Sequence, residues 1–180
     1  ADEGIKIGNQ YLSEGKFSDA EEFFANLQML HPDEPRACLG LLLCKYEVKI
    51  PMGLVEKVKG TTIDKAAIEG EPLYIKLMGL CDEKLRAQLQ SVRDRQIQIK
   101  QGQEYSRIKQ LYEAASGLDD YRKAMDAASP LAAIGHEGAE GIVSKCEKAI
   151  NQIKANQELL ACANKEAEIG SRRGLTRALE

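Results

Sequence analysis

Tryptophan is absent from this chain, and phenylalanine occurs only three times in 180 residues. No apolar run approaches the roughly 18 residues that a membrane-spanning helix requires, so we expect no insertion into a bilayer. A basic surplus is also lacking, because 25 Lys and Arg oppose 28 Asp and Glu for a net charge of −3. Neutralising phosphates requires excess positive charge, and a nucleic-acid partner is therefore not expected.

Metal ligands are scarce too. Histidine occurs twice, as His31 and His136, and no two cysteines have the C-x-x-C spacing of a zinc site. We expect neither a metal nor another cofactor. The cysteines are Cys38, Cys44, Cys81, Cys146 and Cys162. An odd number of scattered thiols is typical of a reducing compartment, and this predicts a cytoplasmic protein without disulfides.

Helix-forming residues are abundant. Apolar residues make up 43% of the chain and charged residues 29%, which indicates a folded protein. Apolar positions recur at helical spacing throughout, and no stretch alternates with a period of two. The sequence therefore predicts an all-α fold of about seven to nine helices.

The first 48 residues have the clearest pattern. A polar turn at residues 13–16 separates two helices, and Ser18 with Glu21 is expected to cap the second as a capping box. Pro32 ends that helix, and Pro35 suits the first turn of the next. The expected core positions are Tyr11, Ala20, Phe24, Leu27 and Leu41.

Five residues in this segment have the mutual spacing of the tetratricopeptide repeat, a helix-turn-helix unit of about 34 residues. They are Gly8, Tyr11, Ala20, Phe24 and Pro32. Residues 1–48 thus resemble one repeat plus the first helix of a second. The resemblance implies helical hairpins in a short solenoid, a right-handed superhelix. Gly4 stands where the repeat usually has a large residue, and Leu27 replaces a small one, which predicts looser or shifted packing.

The same resemblance implies a binding groove lined by the first helix of each unit. Its lining residues would be Ile5, Asn9, Leu12, Arg36 and Tyr46. Asn9 matches an Asn of the subfamily that clamps chaperone C-termini. However, Ile5 replaces the Lys of that clamp and no second Asn follows, so we expect a different peptide or protein segment as partner.

The rest of the chain is expected to continue the same domain. Residues 49–72 form an irregular linker with short helices, and residues 73–170 form helical hairpins. The apolar phase slips near Gly102, so residues 82–115 are either one helix that rotates its buried face or two helices that meet there.

Further along the chain, Asp119 and Asp120 are expected to cap a helix. Residues 130–141 are interpreted as a Gly-rich connection, and a last helix covers residues 142–169. Residues 171–180 are interpreted as a tail, disordered or vector-derived.

A second resemblance includes much of the second half of the chain, and the two resemblances together cover most of residues 4–153. It rests on residues 36–48, on the motif Asp82-Glu83-Lys84-Leu85, and on matches around residues 120–124 and 146–150. These are similar to uncharacterised bacterial proteins with a zinc ribbon and degenerate tetratricopeptide repeats. The ribbon's cysteine knuckles are absent here. In such proteins a membrane helix can follow a basic segment like the one at residues 172–177, which would place this domain on the cytosolic side.

No candidate for chemistry gathers a converging set of groups. His31 and His136 fall in turns, and the glycines at 135, 138 and 141 lack the preceding strand of a phosphate-binding loop. The basic residues between 93 and 109 alternate with acids, as on a solvated helix face. We therefore expect a monomeric, non-catalytic protein-interaction module. The alternative is a structural spacer or oligomerising segment of a larger bacterial protein, and an enzyme is a distant third.

Overall fold

The computed structural model of this chain describes residues 2–58 and 62–179, with side chains as far as residue 171. Every regular element in these ranges is helical, which confirms the all-α prediction. The helices are α1 (Asp2–Glu14), α2 (Phe17–Leu30), α3 (Pro35–Lys45), α4 (Leu54–Lys57), α5 (Pro72–Leu80), α6 (Glu83–Glu113), α7 (Leu118–Ala133) and α8 (Glu137–Leu179). Short 3₁₀ turns cover Pro51–Gly53 and Ala67–Gly70. Of the expected tail, the side chains of residues 172–180 lie outside the described residues.

Two helices begin with the same Glu-Pro dipeptide, in which the Glu side chain caps the helix. The Glu34 carboxylate accepts a hydrogen bond from the Arg36 backbone N–H at 3.1 Å, and Pro35 occupies the first turn of α3. Glu71 and Pro72 repeat this arrangement at the start of α5. Proline does not destabilise the helix at this position, because an N–H group there would have no partner inside the helix. At α2 the expected Ser18 cap is wrong, since the helix begins at Phe17 after Lys16, without a side-chain cap.

The chain divides into two compact units, Ala1–Gly102 and Gln103–Glu180. In the first, α2 packs against both α1 and α3, and α5 packs against α3. Phe24 of α2 is fully buried at the centre of this packing. A Cβ atom added to Gly8 would lie 2.6 Å from the Phe24 ring, and one added to Gly40 only 2.4 Å. The two glycines therefore let α1 and α3 approach the ring from different sides.

Gly4 and Leu27, the two residues that depart from the repeat pattern, compensate each other. A Cβ atom at Gly4 would lie 2.8 Å from a Leu27 methyl, and Leu27 is only 9% exposed. The large side chain on α2 thus occupies the space that Gly4 leaves on α1, and the packing there is close rather than loose. Among the other expected core residues, Ala20 and Phe24 are buried, whereas Tyr11 and Leu41 are half-buried.

One buried amide ties the irregular segment between α4 and α5 to α6. Gln96 is 7% exposed, and its Nε2 donates to the Leu54 carbonyl at 2.9 Å. Its Oε1 accepts from the Ile68 N–H at 3.1 Å. In the described part of residues 49–71 the helices are short, and Leu54 and Ile68 are fully buried in the core. The segment is therefore packed as part of the first unit.

Helix α6 is continuous through Gly102, so the sequence alternative of two helices is wrong. Leu89 and Val92 of this helix are buried in the core of the first unit. Ile108 is fully buried in the second unit. The apolar pattern along α6 therefore changes phase near Gly102, at the boundary between the two compact units.

The second unit is built on the pairing of α7 with α8. Pro130 lies inside α7, and α8 begins at Glu137, so the predicted connection at residues 130–141 is wrong. The Pro130 position is exposed, which allows the unpaired carbonyl of the preceding turn to be hydrated. The expected caps Asp119 and Asp120 lie inside the first turn of α7, because the helix begins at Leu118 after Gly117. Asp120 still supports this helix start, since it accepts from the Gly117 N–H at 3.3 Å.

Candidate interaction surface

Helices α1 and α3 contact each other in the first unit. An ion pair of 2.7 Å between Asp2 and Arg36 joins their N-terminal turns. At the other end, Lys49 Nζ donates to the Ser13 carbonyl at 2.7 Å. We call the surface formed by these two helices the α1/α3 face. The predicted groove residues lie on α1 or α3, or directly follow α3.

The five predicted residues differ in their accessibility. Ile5 is 5% exposed and Leu12 is 3% exposed, and both belong to the hydrophobic core. Asn9 and Arg36 are exposed. Tyr46, at the C-terminal end of α3, is half-buried. A partner on this face would therefore contact Asn9 and Arg36 before any of the others.

The Arg36 guanidinium is held in a defined position. Its Nε and Nη2 donate to the two carboxylate oxygens of Glu34, each at 2.8 Å. This pairing lowers the pKa of Glu34 to about 2 and raises the pKa of Arg36. A planar guanidinium fixed between two carboxylates has a preset orientation, which reduces the entropy lost on binding a partner.

We expect a pH dependence from Glu34. Its pKa is lowered from the model-peptide value of 4.5 to about 2, so its stabilising contribution is complete above pH 4.5. That contribution declines as the pH falls towards 2. In an NMR titration of the Glu34 carboxyl carbon the midpoint should lie near 2, and R36Q should move it up towards the ordinary value. An unchanged midpoint in R36Q would contradict the role of Arg36.

The Tyr46 side chain forms its hydrogen bond within the first unit. Its hydroxyl donates to Glu71 at 2.7 Å, and Lys45 Nζ donates to the same carboxylate at 3.0 and 2.8 Å. Burial and the neighbouring Glu71 raise the pKa of Tyr46 to about 12. Burial alone would raise the pKa of Glu71, but the bonds from Lys45 and Tyr46 keep it below its ordinary value. The Tyr46 hydroxyl therefore already has a partner within this unit.

Among the described residues, sequence reasoning missed two buried polar side chains, Glu71 and Gln96. The repeated Glu-Pro dipeptide could have indicated Glu71 as a helix cap. The sequence around Gln96 gives no comparable indication that this side chain is buried, since α6 contains many glutamines. Its role depends on carbonyl and N–H groups that are distant in the chain.

Within the described residues no group of three or more His, Cys, Asp or Glu side chains is placed to hold a metal ion. None of the described helices is both long and apolar enough to cross a membrane. Comparisons with protein-family models, curated proteins and solved structures give no match to this chain.

Proposed function

We propose that this chain is a non-catalytic protein-interaction module of the tetratricopeptide-repeat type, a short solenoid that binds a peptide or protein segment. The observation that carries the proposal is the parallel placement of α1 and α3, joined by the Asp2–Arg36 ion pair. The Phe24 packing between Gly8 and Gly40 supports the repeat resemblance. We further propose that the protein is bacterial and acts in the cytoplasm, with the cytosolic part of a membrane-tethered protein as the alternative.

Asn9 and Arg36 are the proposed contact residues. Both are exposed polar side chains on the α1/α3 face, and an amide and a guanidinium can bind main-chain carbonyls or carboxylates of a segment. Ile5 and Leu12 would instead support the face from beneath, since both are buried. Removing the polar groups should weaken binding while leaving the core intact.

The test is site-specific photo-crosslinking in cells of the source organism, with a photoreactive residue at position 9. We expect a discrete crosslinked partner, and we expect R36Q to reduce the crosslinking several-fold. R36Q removes the two surface ion pairs of Arg36, which are worth about 0–1 kcal/mol each, so the melting temperature should fall by only a few degrees.

The matched control is E22A on α2, an exposed position away from the α1/α3 face. It should leave the crosslinking unchanged. If R36Q lowered the melting temperature by more than the loss of these ion pairs explains, together with crosslinking, the contact would be structural and the proposal would fail. Equal crosslinking from positions 9 and 22 would also contradict it.

A structural spacer or oligomerising segment is the second candidate function, and α8 is the observation that favours it. Every side chain of residues 154–171 is exposed, including Leu159 at 70%, Leu160 at 63% and Ile169 at 45%. Such a helix could join other parts of a longer protein or pair with a copy of itself.

Light scattering separates the two candidates. For the interaction module we expect a monomer with the 19.9 kDa mass of the chain at micromolar concentration. The apolar positions of α6 do not keep a steady heptad, so this helix should not form a strong coiled coil. A mass near twice the chain mass, returned to the monomer value by L160E on α8, would favour the oligomerising function.

A further inference from the structure

We draw no further inference here: the strongest candidate, the surface patch on α8 beyond residue 153 that exposes the apolar side chains of Leu159 and Leu160, carries nothing further because nothing in the described part of the chain shows what covers it.

Discussion

Replacing Phe24 by Ala is expected to lower the free energy of unfolding of the first unit by about 3–5 kcal/mol. Phe24 is fully buried and fills the space between Gly8 and Gly40, neither of which has a side chain that could move into the cavity. Urea unfolding followed by circular dichroism measures the loss, with an unchanged slope as evidence that the same surface unfolds.

The adjacent Phe23 is the matched control. It lies on the same helix but is only half-buried, and its ring contacts Tyr11 with a centroid distance of 6.0 Å. F23A should therefore cost clearly less than F24A. A loss below about 1 kcal/mol in F24A would mean that the ring is not a central core element, and it would contradict the repeat assignment.

The second large effect is expected at Gly40. Alanine normally stabilises a helix relative to glycine by about 1 kcal/mol, but here its Cβ would lie 2.4–2.6 Å from three atoms of the Phe24 ring. The ring is fully buried and cannot move freely. G40A should therefore lower the unfolding free energy by about 1–3 kcal/mol, measured in the same urea experiment.

A double-mutant cycle checks the cause. In the F24L background the aromatic ring is absent, and G40A should then cost much less, with a coupling energy of about 1–3 kcal/mol. G102A is the control, because a Cβ at Gly102 meets nothing within 4 Å although the residue lies inside α6. That variant should be neutral or stabilising by up to about 1 kcal/mol. Additive effects of G40A and F24L would exclude the proposed steric conflict.

The sequence by itself determined the helical class and several helix boundaries. Pro35 marks the start of α3, and the expected core positions Ala20, Phe24 and Leu27 on α2 are buried. Such features depend on residues a few positions apart, whose geometry is set by the helical repeat and by backbone chemistry. Local rules were sufficient for them.

Local rules left one position inside a helix undecided and misjudged another. They allowed either one helix or two at Gly102, where α6 is continuous, and they wrongly placed Pro130 in a connection, although it lies inside α7. Both residues lower helix propensity, but tertiary packing of the surrounding turns supplies more free energy than one unfavourable residue removes. A pattern read along the chain contains no measure of that packing.

Only the tertiary structure decided how the candidate surfaces are built. Leu27 compensates Gly4 across two helices, and Tyr46 bonds to Glu71, 25 positions further along the chain. Gln96 of α6 likewise bonds to the carbonyl of Leu54, 42 positions earlier in the chain. Each contact requires a particular approach of distant segments, which is fixed by the packing of the whole unit and not by the spacing of residues along any one helix.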